Sequence, residues 1–135
     1  YNVGAFQRRT HKQYDTINSV ENPVEFNIID WDDQPTDAFV TVVGIGSKVY
    51  EKHNKKIERL QSLAAKRGKE PDQDELNELY VDMLVACTKA WKGFKEDGKD
   101  IPFEEDNVRD IYTRYPYIRN FVMKSVMDIR AFVKN

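Results

Sequence analysis

From Leu76 to Phe132 apolar residues recur every three or four positions. The pattern is interrupted once, by Gly93 and the run Asp97-Gly98-Lys99-Asp100-Ile101-Pro102-Phe103. Such spacing lines one face of a helix with apolar side chains, so the chain reads as helices joined at one specified corner. Asp97-Gly98 suits a tight turn, since glycine accepts a positive φ without steric cost. Trp91, Ile101 and Phe103 are the expected core anchors of this corner. Glu104-Glu105-Asp106 start a short helix with charges suited to its N-terminus. Pro116 sets the first position of the last helix, where its missing N–H costs nothing. That helix carries Ile118, Phe121, Val122, Ser125, Val126, Ile129, Phe132 and Val133 as its stripe.

Two longer helices precede this stretch. In residues 48–67, Val49, Tyr50, His53, Ile57, Leu60, Leu63 and Ala64 form a stripe behind an outer face of Lys48, Lys52, Lys55, Lys56, Arg59, Lys66 and Arg67, against only Glu51 and Glu58. Ser47 is the expected N-cap and Gly68 the stop. In residues 72–91 the stripe is Leu76, Leu79, Tyr80, Met83, Leu84, Cys87, Ala90 and Trp91, with an outer face acidic at first, at Asp74, Glu75, Glu78 and Asp82. Asp72 and Glu75 have the spacing of a capping box. An antiparallel pair of these helices buries both stripes and is expected to bring the opposite charges close. Upstream, 24–29 and 38–45 are rich in β-formers and read as strands. The expected fold is mainly α: a bundle of about four helices with a short N-terminal β element. Residues 1–37 form an arm and 38–135 the helical domain.

The residues argue against most chemistry. Gly44-Ile45-Gly46 follows a strand, but the third glycine of a dinucleotide loop would fall at Val49, and no phosphate-binding Gly-Lys-Ser/Thr follows. Read as a calcium loop, Asp97, Gly98 and Glu104 fit, yet Gly93 and Lys95 stand where oxygen ligands are needed. His11, His53 and Cys87 do not make a zinc site. Cys87, on the apolar stripe, reads as a small core residue. No catalytic residue, cofactor or metal is expected. A net charge of −2, from 21 Lys and Arg against 23 Asp and Glu, argues against a dedicated nucleic-acid binder. No apolar run reaches the ~20 residues of a membrane span. The polar, basic start at residues 1–12 leads to no expected signal peptide. Arg8-Arg9-Thr10-His11-Lys12 reads as a solvated arm.

What remains is recognition of other proteins. Tyr112, Tyr115 and Tyr117 cluster at the corner before the last helix, where they either close the core or face a partner. Lys52, Lys56 and Arg59 are the exposed cations best placed to meet an acidic partner.

Trp91-x-Gly93, Asp97-Gly98, Ile101-Pro102-Phe103, Asp106-Asn107 and Pro116-x-Ile118, followed by an apolar helix ending near Phe132, resemble the tail assembly chaperones of long-tailed (siphovirus-like) bacteriophages. Upstream, a strand leading through Gly44-Ile45-Gly46-Ser47-Lys48-Val49-Tyr50 into a charged helix is similar too. The resemblance covers about residues 38–133; at Glu104-Glu105-Asp106-Asn107 the chain lacks the serine usual in the family. It implies a non-enzymatic assembly factor in the host cell cytoplasm. The factor would bind the tape-measure protein, keep it soluble, help recruit the major tail (tube) protein, and be absent from the mature virion. Self-association stays open as a further partnership. The alternatives are a structural virion protein, such as a tail connector or completion component, and a small DNA-binding regulator using the face from Lys52 to Arg59.

Overall fold

Val40 and Val42 are fully buried and alternate with half-buried Phe39 and Thr41, the pattern of a strand with one face on a core. They lie in the centre of a three-stranded antiparallel sheet. In this computed structural model, which describes residues 17–133, the order is α1 (Ile17–Glu21), β1 (Val24–Ile29), β2 (Pro35–Val42), α2 (Lys48–Lys66), α3 (Gln73–Cys87) and β3 (Thr88–Lys92). A two-stranded ribbon, β4 (Lys95–Glu96) and β5 (Lys99–Asp100), then leads to α4 (Glu105–Arg114), α5 (Pro116–Met127) and α6 (Ile129–Val133). The basic cluster at residues 8–12 lies outside the described residues.

The architecture corrects the expectation of a mainly α four-helix bundle. The described residues are 56% helix and 20% strand, and a three-stranded antiparallel sheet contributes Ile28, Ala38, Val40 and Val42 to the buried core. Strand order is β1-β2-β3, with Val24 opposite Val42 and Val40 opposite Trp91. Position 37/38, where the sequence divides into arm and domain, falls inside β2. A bulge between Asn27 and Ile29 is filled from both sides. Asn27 donates to the carbonyls of Thr36 and Ala38 at 2.8 and 3.0 Å, and the Thr36 hydroxyl donates to the carbonyl of Ile28 at 2.7 Å.

Expected boundaries move: β2 begins at Pro35 and not at 38, and two others shift for a non-local reason. β2 stops at Val42 and not at 45, because the next three amides leave the ladder. Val43, Gly44 and Ile45 donate to the carbonyls of Cys87, Val20 and Val126 at 2.8–2.9 Å, tying the end of the strand to α3, α1 and α5. The second long helix ends at Cys87 and not at Trp91, since residues 88–92 become the edge strand that pairs with β2. Thr88 makes the switch: its hydroxyl donates to the carbonyl of Leu84 at 2.7 Å and lies 2.7 Å from the hydroxyl of Tyr112. With the threonine proton used on Leu84, Tyr112 is the donor to Thr88. Tyr112 is fully buried, and burial pushes its phenol well above the usual value, keeping that proton in place. Tyr112→Phe leaves the Thr88 oxygen without its donor. Chemical denaturation should show a loss of about 1–2 kcal/mol with unchanged circular dichroism.

The last helix is also divided. Asp128 (φ −82°, ψ 81°) breaks it, and α6 turns the fully buried ring of Phe132 onto Gly44 and within 6.1 Å of Phe26. A Cβ on Gly44 would lie 2.9 Å from that ring. Helices α2 and α3 pack along each other across a short turn. Ser47 and Asp72 cap them by accepting from the amides of Tyr50 and Glu75. Gly68 at φ +66° closes α2, its amide reaching Ala65 while that of Lys69 reaches Ala64. The expected electrostatic pairing of the two helices is not made. Among the described residues every ion pair is formed by Lys92, Arg109 or Arg114, and none by a cation of α2.

Candidate functional site

The corner that organises the sequence is held together by its own residues. Trp91 in β3 donates its indole N–H to the carbonyl of Ile101 at 3.0 Å, and its ring packs on Phe94 at 4.5 Å and Phe103 at 5.8 Å. Asp97 (φ +53°) and Gly98 (φ +77°) form the two-residue turn between β4 and β5. Asn107 reaches back to the carbonyl of Pro102 at 3.0 Å. Ile101 packs on the core, Phe103 is exposed apart from its contact with Trp91, and Pro116 is exposed at the first position of α5. Trp91 and Ile101 pack on the core, whereas Phe103, expected as a third core anchor, lies on the outside of Trp91 and stays exposed.

Among the described residues no three of His, Cys, Asp and Glu are placed to hold a metal ion. Cys87 is fully buried and its thiol is pushed up to about 12 by desolvation, so it carries no thiolate at neutral pH. His53, half-buried on α2, is held below its usual value by burial first and Lys56 second.

The tyrosines separate. Tyr112 serves the core, whereas Tyr115 and Tyr117 are both exposed at the junction of α4 and α5. Tyr117 meets a residue that sequence reading overlooked: Trp31, at the tip of the β1–β2 hairpin, 77% exposed. The two rings meet edge to face at 5.6 Å, and Tyr117 meets Tyr115 at 6.3 Å. The guanidinium of Arg114 lies 5.2 Å from the Tyr115 ring and is held there by Asp110 and Glu96. An aromatic ladder therefore runs from Trp31 through Tyr117 and Tyr115 to Arg114.

Its outermost ring stands on a braced turn. The Asp30 carboxylate accepts from the amides of Asp32 and Gln34 at 2.8 and 3.0 Å, and the Asp30 amide donates to the Gln34 carbonyl at 2.9 Å. Asp33 adopts φ +58° within the same turn. Aspartate is one of the few residues that performs both tasks, and this explains an acidic run around a tryptophan. A tryptophan displayed on a fixed turn, next to two tyrosines and an arginine, is the composition of a protein-binding hot spot. Shallow hollows flank the ladder, one between Trp31 and Phe121, the other between Arg114 and Ile101. The remaining candidates, Lys52, Lys56 and Arg59, are exposed on the outer face of α2, a separate surface. The signal that would have found Trp31 was an aromatic residue inside an Asp-rich turn between two strands.

No helix is long and apolar enough to cross a membrane among the described residues. Comparison of the chain with protein-family models, with curated proteins and with solved structures gives no significant match.

Proposed function

We propose that this chain is a non-enzymatic phage tail assembly chaperone. In the host cytoplasm it binds helical segments of the tape-measure protein, keeps them soluble and helps bring tail-tube subunits to them. The ladder headed by Trp31 is the observation that carries a protein-binding role, because a large ring so exposed on a rigid turn gains most when a partner covers it. The client follows from the sequence resemblance between residues 38 and 133. The residues that bear it, from Trp91 to Pro116, lead the chain into α4 and α5, at whose junction Tyr115 and Tyr117 stand. An amphipathic helix laid over Trp31 and Tyr117, with its ends in the flanking hollows, is the mode of recognition that fits.

Co-expression tests this reading. With the chain present, the tape-measure protein of the same phage should stay in the soluble fraction and co-purify with it, and purified particles should lack the chain by mass spectrometry. A stoichiometric copy in mature particles would instead favour a structural virion protein.

A further inference from the structure

The hairpin of α2 and α3 carries a basic and an acidic surface that, among the described residues, do not pair with each other. On a 3.6-residue helix, Lys48, Lys52, Lys55, Arg59 and Lys66 lie within about 60° of one another, opposite the buried Tyr50 and Ile57. All are exposed, and none has an ion-pair partner among the described residues. The spacings Lys48–Lys52 and Lys55–Arg59 place like charges one turn apart, which weakens an isolated helix. On α3, Asp74, Glu78 and Asp82 repeat every four residues along a groove of about 740 Å³ shared with α4. Asp82 is paired with Arg109 at its inner end, while Asp74 and Glu78 are exposed and have no ion-pair partner among the described residues. Across the whole chain the charges nearly cancel, at −2, so these stripes are not opposed by a large overall field.

We propose that the basic stripe of α2 seats on the Asp74–Glu78 side of the α3–α4 groove of a second copy of this chain. Each copy carries both halves of this contact, and the two halves are different patches. The association is therefore heterologous: copies add head to tail unless their rotation closes a ring. The groove is lined on its far side by Arg119 and by Arg109, which is paired with Asp82, so the acidic side open to the stripe is Asp74 and Glu78. The contact is separate from the aromatic ladder and does not rest on the client-binding reading.

Sedimentation velocity on the whole chain tests it in the absence of any client. Self-association should be present at about 0.02 M salt and lost at about 0.5 M, where screening shortens the reach of the charges to a few Å. The variants K52E/K55E/R59E and D74K/E78K should each associate at least ten-fold more weakly, with unchanged circular dichroism because every altered residue is exposed. An equimolar mixture of the two, and a single chain carrying both sets, should regain association, since the charges then complement again. Three results would overturn the proposal: a monomer at low salt, association that neither reversal weakens, or swapped partners that stay apart. Salt-sensitive binding of duplex DNA by a chain that remains monomeric would assign the stripe to nucleic acid and overturn it as well.

Discussion

Gly93→Ala should lose about 3–5 kcal/mol of stability, enough to leave a domain of this size partly unfolded at 37 °C. Two independent costs add. Gly93 sits at φ +80°, a conformation that costs an L-residue about 1–2 kcal/mol. The larger cost is steric: a Cβ there would lie 1.9 Å from the carbonyl oxygen of Asp37 and 3.1 Å from the Cα of Ala38. Both atoms are backbone of β2, so relief requires β3 to move off the sheet, breaking the Phe39–Lys92 pairing beside it. Gly98→Ala is the internal control. It shares the positive φ, at +77°, but nothing stands within 4 Å, so it should cost only about 1–2 kcal/mol. Urea denaturation of the two variants reads the difference. Equal stabilities would mean that β3 does not lie against β2 as described.

The second large effect concerns binding. Trp31→Ala should weaken capture of the tape-measure protein by about thirty-fold or more, the size expected when a central aromatic of about 2 kcal/mol is removed. At 77% exposure the same change should alter stability by under about 0.5 kcal/mol. Tyr117→Ala should weaken capture less, because its ring also packs against its neighbours. Capture unaffected by Trp31→Ala would remove the ladder from the account and leave the outer face of α2 as the surface to examine.

Local signals and tertiary contacts divide what could be read in advance. The caps at Ser47 and Asp72, the stop at Gly68, the start at Pro116 and the Asp97-Gly98 turn were legible, because a few adjacent residues decide each. The strand at Val24–Ile29 has the expected span for the same reason. The end of α3 was not legible. Cys87, Ala90 and Trp91 keep a helical spacing, and Thr88-Lys89-Ala90-Trp91-Lys92 serves equally well as a strand. The choice is made by the open edge of β2, far away in sequence, and by the Tyr112 hydroxyl that holds Thr88. The break at Asp128 depends in the same way on Gly44, which leaves space for Phe132.

The candidate site shows the same division. Tyrosines at a helix junction marked the right corner, but spacing could not tell that Tyr112 points into the core while Tyr115 and Tyr117 face outward. Trp31 belongs to the site only because the β1–β2 hairpin brings its tip to the start of α5. By sequence it stands only in an acidic run, Asp30-Trp31-Asp32-Asp33. The opposite charges of α2 and α3 were visible in sequence, yet the fold does not pair them, and this is what makes the hairpin surfaces available to another molecule.

The most direct measurement is the solubility of the tape-measure protein when co-expressed with the wild-type chain, with Trp31→Ala, and with no partner. The account predicts soluble complex with the wild type and aggregated tape-measure protein in the other two, while Trp31→Ala itself stays folded and soluble. A tape-measure protein that is equally soluble in all three would contradict it.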